Sequence, residues 1–316
     1  MEPFIKHINA FTDKPFRGNP AAVVKTDVPL STRVMQQIAR EMNLSETAFI
    51  LPSSTRNADL RIRWFTPSNE VPLCGHATIA SFHALAEEGF GGMDNPGEYL
   101  WRLQTRSGVL KILVVNSGKR TEIKMTLPVP QFKPVSDVQR DLLPALGILS
   151  RDVDASLPVV SAGNVYVPVK KLSVIKKLAP NFSILGRVLQ KRHWMGACVV
   201  TRETVDRHSD FHSRYYAPND GINEDPVTGS ANGPLGAYAL LYGMRQSKEG
   251  LNRLIGEQGD WIGRKGRVGV EVIVQRGAIT GVIISGHAVT LCAGVLTYES
   301  KSDHIRNRAD TNQHSQ

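Results

Sequence analysis

RWFTPSNEVPLCGHAT at residues 63–78 and RYYAPNDGINEDPVTGSA at residues 214–231 carry the same marks in the same order: an arginine, two aromatic residues, a proline, and later a glycine opening an apolar run. Each follows a strand-like run, Ala48-Phe-Ile-Leu in the first and Ala197-Cys-Val-Val in the second. Each leads into a helix that reaches Ala84-Leu85 or Ala239-Leu240. The intervals between corresponding marks differ by only a few residues, the pattern of a diverged duplication with loop insertions rather than of a solenoid. IASFHALA at 79–86 is apolar nearly all round, which suits a helix buried inside a curved sheet. Two related halves, each a set of strands wrapped around one helix, would then face each other across a cleft.

Working outward, alternation at period two marks FIKHINAF, AAVVKT, TAFILPS, DLRIRWF, VLKILVV and TEIKMTLP as strands, with Arg61, Arg63 and Lys124 between apolar neighbours. VPLSTRVMQQIAREMNL and the run from Ala77 to Glu88 read as helices, the first capped by Ser31 and the second entered through Gly75. In the second cycle DVQRDLLPALGI reads as a helix and SLPVVSAGNVYVPVKK as two strands about a Gly-Asn turn. ACVVTRE, FHSRYYA, RVGVEVIVQR and AITGVIISGHAVTLCAGVL read as further strands. Many strands with few helices make an α+β protein, not a regular βαβ series. The proline-marked stretch LPVPQFKP divides the chain into a first domain, 1–127, and a second, 128–301. The strands after about residue 284 are placed to cross back and complete the first domain, and the polar residues 302–316 read as a flexible tail.

The 316 residues include 41% hydrophobic and 21% charged, an ordinary globular composition that excludes collagen-like, disordered and membrane-spanning classes. The net charge of +9 suits an acidic partner and equally a small anionic or zwitterionic substrate. The basic residues lack the aromatic interleaving of a nucleic-acid surface, so no nucleic-acid partner is expected. No leader or long apolar run stands out, so a cytoplasmic protein without membrane contact is expected. Cys74, Cys198 and Cys292 lie far apart, which argues against a disulfide framework. The histidines show no zinc spacing, and no glycine motif has a nucleotide fingerprint, so no metal and no cofactor are expected.

The chemistry-bearing residues cluster at the repeated marks. GHAT and TGSAN open the two helices with small residues, and free amides at helix starts bind carboxylates or stabilise a developing enolate. Capping alone also explains small residues there. Glu46 stands in LSETAF just before an apolar strand, as a general base at a cleft rim or as an ordinary exposed glutamate. His76 lies at a helix start, where the dipole favours neutral imidazole, or it packs and caps. Asp225, in a run too polar for a core strand, points toward the Gly229 helix start or only closes an Asx turn. Cys74 adjoins Gly75 and raises a racemase or epimerase with two opposed thiols, but Thr228 stands where the second thiol is needed. Cys198 and Cys292 sit in apolar runs as core residues, and Trp64, Tyr99 and Trp101 read as strand-core or domain-interface aromatics. A non-catalytic small-acid-binding protein is the remaining alternative.

NAFTDKPFRGNPAAVV at 9–24, SETAF at 45–49, and the two stretches at 63–78 and 214–231 together resemble the PhzF family, named for the isomerase of phenazine biosynthesis. Similarity runs from about residue 3 to residue 299. The resemblance implies a diaminopimelate epimerase-like fold of two pseudo-repeated domains, each a curved sheet or barrel around a central helix, commonly as a homodimer. It also implies a biosynthetic isomerase that works without metal or organic cofactor on trans-2,3-dihydro-3-hydroxyanthranilate or a similar small amino or hydroxy acid. By the same resemblance Glu46 is the catalytic glutamate, moving a proton through an enolic intermediate. His76 and Asp225 hold the polar groups of the substrate, and Gly75, Gly229 and Ser230 fix its carboxylate or enolate. Two stretches depart from the family pattern: Asn232-Gly233, where histidine usually follows Gly-Ser-Ala, and SAGNVYVPVK at 161–170.

Overall fold

The computed structural model describes residues 4–26 and 29–297, so the residues read as a tail, 302–316, lie outside the described part. The first half runs β1 (Phe4–Ala10), β2 (Asn19–Lys25), α1 (Thr32–Met42), β3 (Glu46–Pro52), β4 (Leu60–Phe65), β5 (Glu70–Val71), α2 (Gly75–Glu87), β6 (Gly97–Thr105), β7 (Gly108–Asn116) and β8 (Thr121–Leu127). Next come β9 (Lys133–Pro134), α3 (Leu142–Leu146), β10 (Val160–Ala162), β11 (Asn164–Pro168), α4 (Leu172–Lys177), α5 (Phe182–Arg192), β12 (Ala197–Thr201) and β13 (Phe211–Ala217). The chain continues through β14 (Ile222–Asp225), α6 (Gly229–Leu241), β15 (Gly250–Gln258), β16 (Gly266–Gln275), β17 (Ala278–Gly286) and β18 (Ala288–Gly294).

Strand pairing repeats itself step for step. β2 lies parallel to β3 as β11 does to β12, and β4 lies parallel to β6 as β13 does to β15. The antiparallel pairs β6–β7–β8 have their counterparts in β15–β16–β17. The two halves join where these last counterparts meet: β8 pairs antiparallel with β17, Met125 opposite Ile284. β18 then returns to the opening strand and pairs with β1, while β9 pairs with β10.

Each half wraps one helix. Of α2, every residue from Gly75 to Phe82 is buried, as are Ala84, Leu85 and Ala86. α6 is buried along nearly its whole length as well. Burying a side chain such as Phe82 or Leu85 is worth about 1.5–3 kcal/mol, so a helix with no polar face gains most when strands surround it. The surface helix α1 is built differently: Ser31 caps it through Val34 N–H, 3.3 Å, and only Met35, Ile38 and Ala39 are buried. No helix among the described residues is long and apolar enough to cross a membrane.

Three details differ from the sequence reading. The helix expected over DVQRDLLPALGI is confined to Leu142–Leu146, because Asp141 caps it late and Gly147 ends it in the left-handed region at φ 73°. Cys292 is exposed, since it lies on the outer part of β18 rather than in a core. Asp225 ends a strand, β14, and is itself buried. Two elements carried no clear signal. α5 buries only Leu185, Gly186, Val188 and Leu189, and the glycines of β15 mask its strand propensity until β13 and β16 flank it.

Candidate active site

Four short polar stretches converge between the halves. Asn19 opens β2, Glu46 opens β3, His76 is the second residue of α2, and Asp225 closes β14. Asn19 is fully buried, and its amide nitrogen donates to Asp225 Oδ1 and to the Val227 carbonyl, both at 2.8 Å. The same nitrogen lies 3.1 Å from His76 Nδ1. The amide NH2 has two hydrogens for these three acceptors and no lone pair to offer, so Nδ1 meets it only as an acceptor sharing a hydrogen, an arrangement that suits a ring proton on Nε2. Nε2 stands 3.2 Å from Ser45 Oγ and 3.2 Å from Glu46 Oε2.

The Glu46 carboxyl is mostly enclosed, and its Oε2 has no aligned hydrogen bond among the described residues. Burial pushes its pKa above the ordinary glutamate range. The nearby carboxylates of Asp225 and Asp220 act in the same direction, against the opposing pull of His76 and Ser45. A carboxylate so placed is a stronger base than an exposed one. Cys74, the residue before Gly75, is buried with Sγ 3.5 Å from His76 Nδ1. Burial, and then the neighbouring Glu46 charge, push its thiol well above the usual range, which keeps it protonated.

The starts of α2 and α6 abut. A Cβ placed on Gly75 would stand 3.4 Å from Gly229 Cα and 3.6 Å from Ser230 N, ordinary contact distances that show how near the two amide-bearing ends lie. Glu46, Gly75, His76, Asp225, Gly229 and Ser230, the six residues singled out in the sequence, all line one cavity of about 550 Å³.

Behind Asp225 lies a support the sequence reading missed. Thr228 Oγ1 donates to Asp225 Oδ2, and Gln258 donates through Nε2 to the Asp225 carbonyl, 2.8 Å, and to Thr228 Oγ1, 3.1 Å. Asn232, one of the departures from the family pattern, is fully buried and donates to the Thr228 carbonyl, 3.0 Å, and to Gln258 Oε1, 2.9 Å. It therefore braces Asp225 from behind instead of facing the cavity. Asn19 had a readable signal, a polar residue heading an apolar strand. Gln258 had none, because only the fold brings it to Thr228.

Among the described residues, two groups of side chains have donors within 4.8 Å of one another, as an ion would need: Glu46, Cys74 and His76, and His212, Glu257 and Asp260. In the first, the His76 ring nitrogens already meet Asn19, Ser45 and the Cys74 thiol. In the second, the Arg267 guanidinium occupies the position of the cation, 3.1 Å from Glu257 and 3.2 Å from Asp260.

The family model of phenazine biosynthesis-like proteins matches residues 8–294. A protein of Clostridium acetobutylicum named as an uncharacterized isomerase is 38% identical over 290 residues, covering 90% of this chain and 94% of its own length. The crystal structure of a Bacillus anthracis phenazine biosynthesis protein of the PhzF family superposes with a TM-score of 0.83 at 35% identity, over 94% of this chain and all of that one. A probable proline racemase from Agrobacterium radiobacter, at 14% identity and a TM-score of 0.66 over 94% of this chain and 93% of its own, shares the fold.

Proposed function

The chain belongs to the family of phenazine biosynthesis-like proteins, and on that premise we propose that it is an isomerase of a small amino or hydroxy acid, with Glu46 as the base that moves the proton. The observation that carries this reading is the Glu46 carboxyl, with its raised pKa and unengaged Oε2, beside His76 Nε2 in a cavity walled by two helix starts. Glu46 takes a proton from a substrate carbon next to a conjugated system. The electron pair of that C–H bond moves into the conjugated system as an enolic intermediate, and the double bond shifts. Glu46 then returns the proton to the carbon at the far end, and the enol tautomerises to the ketone.

His76, with its proton on Nε2, supports the developing oxygen as a donor. Asp225, held by Asn19 and Thr228, receives the amino or hydroxyl group, while the amides at Gly75, Gly229 and Ser230 hold the carboxylate or enolate. Base, donor and oxyanion support all come from the chain itself, so the reaction needs no metal or organic cofactor. A two-thiol racemase is disfavoured: Cys74 is held protonated, and the opposing hydroxyl of Thr228 is spent on Asp225. Incubation in D2O with trans-2,3-dihydro-3-hydroxyanthranilate and a panel of cyclic and acyclic amino and hydroxy acids tests the proposal. Wild-type protein exchanges deuterium into a substrate carbon and Glu46→Gln does not. Exchange retained by Glu46→Gln rules out Glu46 as the base, and exchange lost in Cys74→Ala but not in Glu46→Gln moves the chemistry to the thiol.

A further inference from the structure

The cavity around Glu46 does not end at the helix starts. A second cavity of about 620 Å³ adjoins it, and Leu73, Trp194, Met195 and Ser230 line both, so the two meet along a shared wall. The two ends differ in charge. The catalytic end is lined by Glu46, Glu70, Asp220 and Asp225 and by no lysine or arginine. Of these, Glu70 is already paired with Arg63. The adjoining end is lined by Lys133, Arg192 and His193 and by no carboxylate. Arg192 is spent on Asp141, at 2.8 Å. Lys133 is exposed on β9 and has no acidic partner among the described residues. The shared wall is largely apolar, with Leu73, Trp194 and Met195 beside Ser230.

A cationic amino group belongs at the acidic end and is repelled from the basic one, and an anionic group other than the carboxylate or enolate held by the helix-start amides has the opposite preference. Charge separation across two adjoining cavities with a largely apolar shared wall fits an elongated molecule better than a compact ring alone. We infer that the molecule bound at Glu46 carries an apolar arm ending in a carboxylate or phosphate, and that this arm lies in the adjoining cavity, past Trp194 and Met195, with its anionic end at Lys133. Calling that molecule the substrate rests on the isomerase reading above.

Calorimetric titration of the full chain tests the inference without turnover. The probes are linear α-amino acids of increasing length ending in a carboxylate, a phosphonate or a methyl group. Affinity is expected to rise at least about tenfold once the charged arm is long enough to cross the junction, with the better of the carboxylate and phosphonate series naming the anion. Lys133→Glu removes that gain for charged ends and leaves the methyl-ended series unchanged, whereas Lys133→Arg restores it. Affinity independent of length and end group, a gain that survives Lys133→Glu, or no binding by any member at millimolar concentration overturns the inference. Loss of deuterium exchange as the outcome for Glu46 concerns the chemistry alone and leaves the binding series to be read on its own.

Discussion

Asn19 donates to Asp225 across the cleft at 2.8 Å, joining the head of a strand in one half to the end of a strand in the other. The same amide nitrogen meets His76 Nδ1 at 3.1 Å, so one buried side chain touches both a carboxylate and a histidine of the cavity. Removing it leaves Asp225 Oδ1 and the Val227 carbonyl without that donor. Asn19→Ala is expected to cost about 1–3 kcal/mol of stability and to lower kcat/KM by about 100-fold through misplaced groups. Asn19→Asp, which sets a second carboxylate beside Asp225, is expected to fall at least as far. Urea denaturation and steady-state kinetics on an exchanged substrate check both, and wild-type kcat/KM in Asn19→Ala would remove Asn19 from the site.

Glu46 is expected to oppose stability when ionised. Its folded pKa is raised above its unfolded value, so the folded state holds its proton more tightly. The stabilising contribution is complete below the ordinary glutamate value of about 4.3 and is lost as pH rises through the raised value. Glu46→Gln, which cannot ionise, should therefore melt above wild type at pH 8, and the difference should shrink as pH falls toward 4. Activity follows the other form: wild-type kcat/KM should drop as pH falls through the same raised value. Thermal melts and rates over one pH series report both, and a Gln variant less stable than wild type at pH 8 contradicts the assignment.

The repeated arginines hold the same kind of partner. Arg63 grips Glu70 through Nε and a terminal nitrogen, both at 2.8 Å, and Arg214 grips Glu224 in the same two-pronged way at 2.8 and 2.6 Å. Arg214 also donates to the Ile175 and Leu178 carbonyls, at 2.9 and 3.0 Å. Arg214→Ala is expected to cost about 3–5 kcal/mol and Arg63→Ala less. Lysine at position 214 recovers little, because it lacks the planar fork. Chemical denaturation of the three variants gives the order directly.

Ile284 and Phe11, packed against the start of α6, make Gly229 sensitive to a single methyl group. A Cβ there would meet Ile284 Cδ1 at 2.7 Å and Phe11 Cζ at 3.0 Å, whereas at Gly75 the nearest atom is Ile284 Cδ1 at 3.1 Å. Gly229→Ala is expected to destabilise by about 1–3 kcal/mol, more than Gly75→Ala. Trimming Ile284 to Val should restore part of the loss. Melting temperatures of the single and double variants check this, and a neutral Gly229→Ala removes the argument for close approach.

Glu257 is fully buried, and burial alone would raise its pKa. His212, the amides of Val205 and Asp206, and Arg267 together hold it below the ordinary value instead. Its stabilising effect is present above about pH 4.3 and lost as pH falls through the lowered value. Glu257→Gln should therefore lose stability at neutral pH and approach wild type in acid, as acid-dependent melts would record.

Much of the architecture could be read from local pattern. Leu60, Ile62 and Trp64 alternate with Arg61 and Arg63 and are the buried side of β4, and the all-round apolar α2 is wrapped by strands. These features come from side-chain polarity repeating at the period of a strand or helix, which needs no distant partner. α5 and β15 escaped because neither has a clean period, and Cys292 was misplaced because an apolar neighbourhood does not say which side of an edge strand meets water. Glu46, His76 and Asp225 could be nominated one at a time from their places beside apolar strands and helix starts.

The sequence by itself determined the duplicated order of strand, arginine-aromatic strand and glycine-led helix, because residue type and spacing are local quantities. Only the tertiary structure decided that Glu46, His76 and Asp225 share one cavity, that Asn19 links His76 to Asp225, that Gln258 and Asn232 stand behind Asp225, and that a basic cavity adjoins the acidic one. Those relations depend on strands far apart in sequence, β8 with β17 and β1 with β18. Their pairing is set by burying two central helices at once, a condition that no single segment can satisfy.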